Sequence, residues 1–187
     1  MEPLGLAATL TARVGPGASP GERSPAVAII GAIKAMPYGR ASDREPSTVL
    51  REWTGTCSGK HYLLRAALEE LSVPVRIVHR VFRLERTQAE RLFPAAAAAV
   101  PDAGLTDVHT YALVELAGVT RVIDVTFPGP WDGETDIALA CGDGVDVIVP
   151  DGSDAQALKD ELIAEHCTPA IREPFIAALS RMTALRG

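Results

Sequence analysis

Apolar positions in this chain recur at two periods, and the switches between them mark out its elements. Leu64, Leu68 and Leu71 follow Cys57 at offsets of seven, eleven and fourteen, which is the stripe of an amphipathic helix. The run VRIVHRVFRLE, Val75 to Glu85, then alternates and is rich in β-branched residues, so it predicts a strand entered after a stop at Ser72 to Pro74. Two further alternating runs, VHTYALVEL and VTRVIDVTF, flank Ala117 and Gly118 and read as a β-hairpin over 107 to 127. Val145 to Val149 suits another short strand.

Capping signals place the remaining helices. Ser24 and Pro25 fit the N-cap and first position of a helix to about Met36. STVLREW predicts a short helix leading into the turn before Cys57, and residues 86 to 104 read as a helix or an ordered excursion. Ser153 and Gln156 have capping-box spacing for a helix to about Glu165. A further helix opening at Thr168 and Pro169 is expected to break at Pro174, leaving a last regular helix at about Glu173 to Leu185. Residues 15 to 25, GPGASPGERSP, read as a flexible connection. The sum is an α+β fold with a central helix on an antiparallel sheet. It forms a single domain over 1–187, with 1–24 a flexible N-terminal segment, 25–150 the core and 151–187 the C-terminal helices.

Composition narrows the classes. A chain of 187 residues with 47% hydrophobic and 22% charged residues fits one soluble globular domain. Its net charge of -6 gives no whole-chain case for nucleic acid, and no run approaches a membrane span. The N-terminus MEPLGLAATLTARVGPG lacks the pattern of a secretory signal. Cys57, Cys141 and Cys167 are odd in number and lack a C-x-x-C pair, which points to free thiols in a reducing cytoplasm. Cys141, His166 and Cys167 match no zinc spacing, and the acids of WDGETD, at 132, 134 and 136, read as a solvated turn rather than a calcium loop.

Candidate chemistry begins at TGTCSGKHYLL, Thr54 to Leu64, because Cys57 falls where a turn passes into a helix. A helix start carries unpaired N-H groups and partial positive charge, which favour thiolate and supply oxyanion donors. Gly55 and Gly59 leave room for close approach beneath a neighbouring strand. Read alone, a buried structural cysteine is the competing reading.

A nucleophile needs a base, and the base needs an orienting partner. With a two-residue hairpin loop Leu116 pairs with Val119, so Tyr111 faces Asp124 and His109 faces Thr126. His109 and Asp124 then share a face as diagonal neighbours, and a slip of one residue separates them. His61, one turn after Cys57, is a rival base without an evident carboxylate. Lys60 reads as an exposed lysine rather than a group tuning the thiol, and His79 as a structural histidine. Trp53 is a candidate oxyanion donor or substrate wall beside the Cys57 backbone N-H, and Tyr111 a candidate wall or core residue.

The order Cys57, His109, Asp124 resembles the transglutaminase-like superfamily of papain-like cysteine enzymes. Three pieces carry the likeness: GTCSGKHYLLRAALEELSVPVR, HTYALVEL and RVIDVTF, within residues 50 to 130. The stop SVPVR is similar to the family's G-I-P-A-R form. Where the family often has Trp two residues after the histidine, this chain has Tyr111, and its glutamate comes at Glu115. The resemblance implies a papain-like core, a Cys-His-Asp triad, no cofactor, and amide or acyl chemistry through a thioester on a peptide, protein or small amide. Amidase, peptidase and acyltransferase all fit. Two alternatives stand beside it: an inactive binding or scaffold module, and acyl transfer resembling arylamine N-acetyltransferases, although the R-G-G-x-C-F-E run of that family is missing.

Overall fold

Four antiparallel strands form one sheet in the order β3-β2-β1-β4 in this computed structural model, which describes residues 5–13 and 24–184. They are β1 (Val75–Leu84), β2 (Leu105–Leu116), β3 (Val119–Ile123) and β4 (Gly144–Ile148). The hairpin register is Leu116 to Val119 and Ala112 to Ile123, the pairing that a two-residue loop dictates. Ala117 and Gly118 both have positive φ, at 51° and 77°, as the tightest hairpin turns require.

Among the described residues seven α-helices surround the sheet. α1 (Leu6–Arg13), α2 (Pro25–Ala35), α3 (Pro46–Glu52) and α4 (Cys57–Glu69) enclose the main core with it. Ser24 caps α2 by accepting from the Val27 N-H, with Pro25 in the first turn. α4 is the central helix, and Leu63, Leu64 and Leu68 are fully buried in the cluster that holds Ile77, Ala112 and Val114. Each such side chain contributes about 1.5–3 kcal/mol of burial. The helix stops at Glu69 and the chain turns at Ser72, φ 57°, so Leu71 leaves the stripe and is 37% exposed.

Several expectations need correcting. Within the N-terminal segment expected to be flexible, α1 is packed: Ala7 and Leu10 are buried and Glu70 accepts from the Leu6 and Ala7 N-H groups. Of the predicted connection from 15 to 25, residues 15–23 lie outside the described residues, while Ser24 and Pro25 belong to the start of α2. The excursion resolves into α5 (Arg86–Leu92) and a 3-10 turn at Ala97–Ala99. α6 (Ala155–His166) is capped by Asp154 rather than Ser153, since the Asp154 carboxylate accepts from Gln156 and Ala157. α7 (Pro169–Ala184) continues through Pro174 without a break. An internal proline costs about 3 kcal/mol, and burying Phe175, Ile176 and Leu179 outweighs it. No helix among the described residues is long and apolar enough to cross a membrane.

Candidate active site

Cys57 is the first residue of α4, behind Thr56, and is buried. The glycines around it accommodate neighbours other than a strand. A Cβ on Gly55 would meet the Lys60 stem at 2.8 Å and Val49 at 3.1 Å, and one on Gly59 would meet Val49 at 3.1 Å. The Gly55 backbone bridges to Tyr38.

β2 runs on past the end of β3, and His109 lies on that overhang. Asp124, one residue beyond β3, follows the same path, so the hairpin register brings His109 Nε2 to 3.0 Å from Asp124 Oδ2. That contact occupies Nε2 and leaves Nδ1 as the ring nitrogen that can serve the Cys57 thiol, whose pKa His109 helps to lower. Asp124 is held in turn by the Ala140 N-H at 3.1 Å and the Thr126 N-H at 3.0 Å.

Charge settles as an ion pair. Burial alone would push the Cys57 thiol up, but Lys159 and His109 outweigh it and bring the pKa down to about 6. Burial would likewise discharge His109, yet Asp124 and the thiolate raise it well above its ordinary value. Asp124 stays far below the usual carboxylate range, because the His109 charge and hydrogen bond overcome its burial. These directions favour a thiolate, an imidazolium and a carboxylate as the charges of the site.

His61 is excluded as the base by its own bonding. Its Nδ1 donates to the Cys57 carbonyl at 2.6 Å, Nε2 accepts from the Val125 N-H at 3.1 Å, and burial lowers its pKa to about 4. Lys60 is fully buried rather than exposed, and donates to the Met36 carbonyl at 2.7 Å and the Thr126 carbonyl at 3.1 Å. Trp53 does not line the cavity at Cys57 and lies under the Arg13 guanidinium at 4.3 Å. Tyr111 is also away from that cavity, its ring 5.6 Å from the Arg80 guanidinium. His79 is buried, donating to the Ala155 carbonyl at 2.9 Å and accepting from Thr110 at 3.1 Å.

The group that pattern reading missed is Lys159 of α6. Its Nζ lies 3.2 Å from Cys57 Sγ and 2.7 Å from Thr110 Oγ1, and the residue is 1% exposed. A signal existed, since Lys159 falls between Ala155 and Leu162 on the buried face of α6, where a lysine has no bland reason to be. Asp107 and Arg172, paired at 2.5 Å, were missed as well.

The thiolate opens onto a cavity of about 570 Å³. Phe82, Phe93, Phe127 and Phe175, all four phenylalanines of the chain, line it with Tyr38 on its apolar side. Arg40 pairs with Glu173 at 2.5 Å and Arg44 with Asp160 at 2.6 Å, fastening the turn before α3 to α7 and α6 across the other side. Among the described residues no group of three or more His, Cys, Asp or Glu side chains is placed to hold a metal ion; Asp132 instead accepts from Glu134 and Thr135 within its own loop.

No protein-family model matches the chain, and no curated protein matches it. Among solved structures it is similar to a putative cysteine protease from Cytophaga hutchinsonii, with 18% sequence identity and a TM-score of 0.42, over 77% of this chain and 49% of that one. The chain thus spans about half the length of that structure. A likeness this loose says nothing about chemistry.

Proposed function

We propose that the protein is a cysteine hydrolase of amide or related acyl bonds, with Cys57, His109 and Asp124 as its triad. The observation that carries this reading is the 3.0 Å contact between His109 and the buried Asp124, beside a thiol that starts a helix. The transglutaminase-like resemblance of the three segments points the same way.

Each group has a role that its surroundings supply. The Cys57 thiolate attacks the carbonyl carbon, and the C=O electron pair moves to oxygen, where the Cys57 N-H is a donor. As the pair returns, the C-N bond breaks and the His109 imidazolium gives its proton to the leaving amine. Water then enters with His109 as base, the thioester opens, and thiolate and imidazolium are restored. Asp124 keeps Nε2-H engaged and Nδ1 directed at sulfur. An amine taking the place of water would give acyl transfer in the same steps.

The test is selective alkylation followed by an amide screen. At pH 7 dilute iodoacetamide is expected to modify Cys57 ahead of Cys141 and Cys167, whose pKa values burial raises. Equal labelling of the three thiols contradicts the reading. Glutamine peptides and small amides, assayed for ammonia with and without added amine, then separate hydrolysis from transfer. Cys57 that labels fast while no amide turns over supports a binding module instead.

A further inference from the structure

Lys159 is a buried cation whose anion is the nucleophile. Its Nζ contacts Cys57 Sγ at 3.2 Å and Thr110 Oγ1 at 2.7 Å, and no carboxylate lies within ion-pair distance among the described residues. The nearby acids are already engaged: Asp160, its chain neighbour, with Arg44, and Asp107 with Arg172. The Thr110 contact is neutral throughout, because the Thr110 hydroxyl donates to His79, which donates to the Ala155 carbonyl, where Tyr62 also donates. An ammonium enclosed by neutral groups is costly unless an anion compensates it. Among the described residues only the thiolate does.

That pairing has a consequence once sulfur reacts. Forming the C-S bond removes the charge from Sγ and places it on the carbonyl oxygen. The ammonium loses its partner at the moment a new anion appears within a bond length or two of the old one. A lysine head on a four-carbon stem can follow that charge, whereas a backbone N-H is fixed.

Resting on the proposed triad, we infer that Lys159 is a further catalytic residue. It holds Cys57 as thiolate in the resting protein and then donates to the carbonyl oxyanion of the tetrahedral intermediate. His109 carries the protons of the reaction. The site thereby joins an acyl-thioester mechanism to an oxyanion site built from the Cys57 N-H and an ammonium. Substrates whose carbonyl oxygen develops full negative charge gain most from it.

Two reagents separate the two roles, because alkylation by iodoacetamide forms no oxyanion and acylation by p-nitrophenyl acetate does. Lys159→Met and Lys159→Gln are expected to move the pH midpoint of Cys57 alkylation up by at least one unit, with Lys159→Arg closer to wild type. At pH 9, above the shifted midpoint and with His109 still in place, alkylation of the Met and Gln variants should come within about threefold of wild type. Acylation by p-nitrophenyl acetate should remain on the order of 100-fold slow, the cost of a lost oxyanion donor. Lys159→Gln keeps a donor for Thr110 and serves if Lys159→Met fails to fold. An unchanged alkylation midpoint in a folded charge-free variant overturns the inference while leaving the triad intact. Equal recovery of both reactions at pH 9 overturns the oxyanion role. If Cys57 of the wild type is no more reactive than Cys141, or His109→Ala leaves its reactivity unchanged, the triad itself fails and the inference with it.

Discussion

A thiol at the start of α4 lies between an imidazole backed by a carboxylate and an ammonium backed by a hydroxyl, and the two supports differ in what they can do. On the proposed mechanism His109 carries the protons, so the pH dependence of turnover belongs to it and to Cys57. Activity should rise through about 6 as the thiolate forms, and fall on the alkaline side as His109 loses its proton, above the ordinary histidine range. Asp124→Asn removes the carboxylate that raises His109, so the alkaline limb should move down and kcat should drop about 100-fold or more. A pH-rate profile on any amide the screen yields checks both; an alkaline limb indifferent to Asp124→Asn would remove Asp124 from the triad. The proximity of His109 and Asp124 was legible in the sequence because hairpin arithmetic fixes which side chains share a face, and the place of Cys57 at a helix start was legible from the turn before it. Lys159 was not, because pairing it with Cys57 requires knowing where α6 docks, 102 positions along the chain.

The hairpin is the element on which the site's precision depends, and its turn is imperfect for its own geometry. Ala117 holds φ 51°, a conformation that costs an L-residue roughly 1–2 kcal/mol and that asparagine or glycine takes more easily. Ala117→Asn should therefore stabilise the protein by about 1 kcal/mol, read as a higher urea midpoint at unchanged m-value, while Cys57 alkylation stays at the wild-type rate. A gain in stability accompanied by slower alkylation would mean that the turn, not the register, was setting the His109 position. The elements that alternation and capping mark, α2, α4, β1 and the hairpin, were readable from local pattern. α7 was not, since whether a helix survives Pro174 depends on how much apolar surface lies beyond it, and that is a tertiary fact.

Across the whole molecule, burial of basic groups sets the response to acid. Lys60 is lowered to about 7 and His61 and His79 to about 4, burial being the largest cause in each, so the unfolded chain binds protons that the folded chain refuses. Each such group favours folding above its unfolded pKa, and that contribution is lost as pH falls toward the folded value. For the histidines the window runs from about 6.5 down to 4, and for Lys60 from about 10.4 down to 7. Cys57 has the same sign and His109 the opposite, so those two offset one another. Thermal unfolding followed from pH 4.5 to 8.5 should show Tm rising; a flat or falling Tm would mean these groups titrate alike in both states. The same burial reaches beyond stability. Lys34, Lys60 and Lys159 are all the lysines this chain has, and they are 9%, 0% and 1% exposed. Treatment of the folded protein with an N-hydroxysuccinimide ester should leave all three unmodified in a peptide map, and modification of any of them in the native state would contradict their burial. An acyl group carried on Cys57, as the proposed mechanism has it, would meet no exposed lysine on another copy of this chain, so an amine acceptor would have to come from elsewhere.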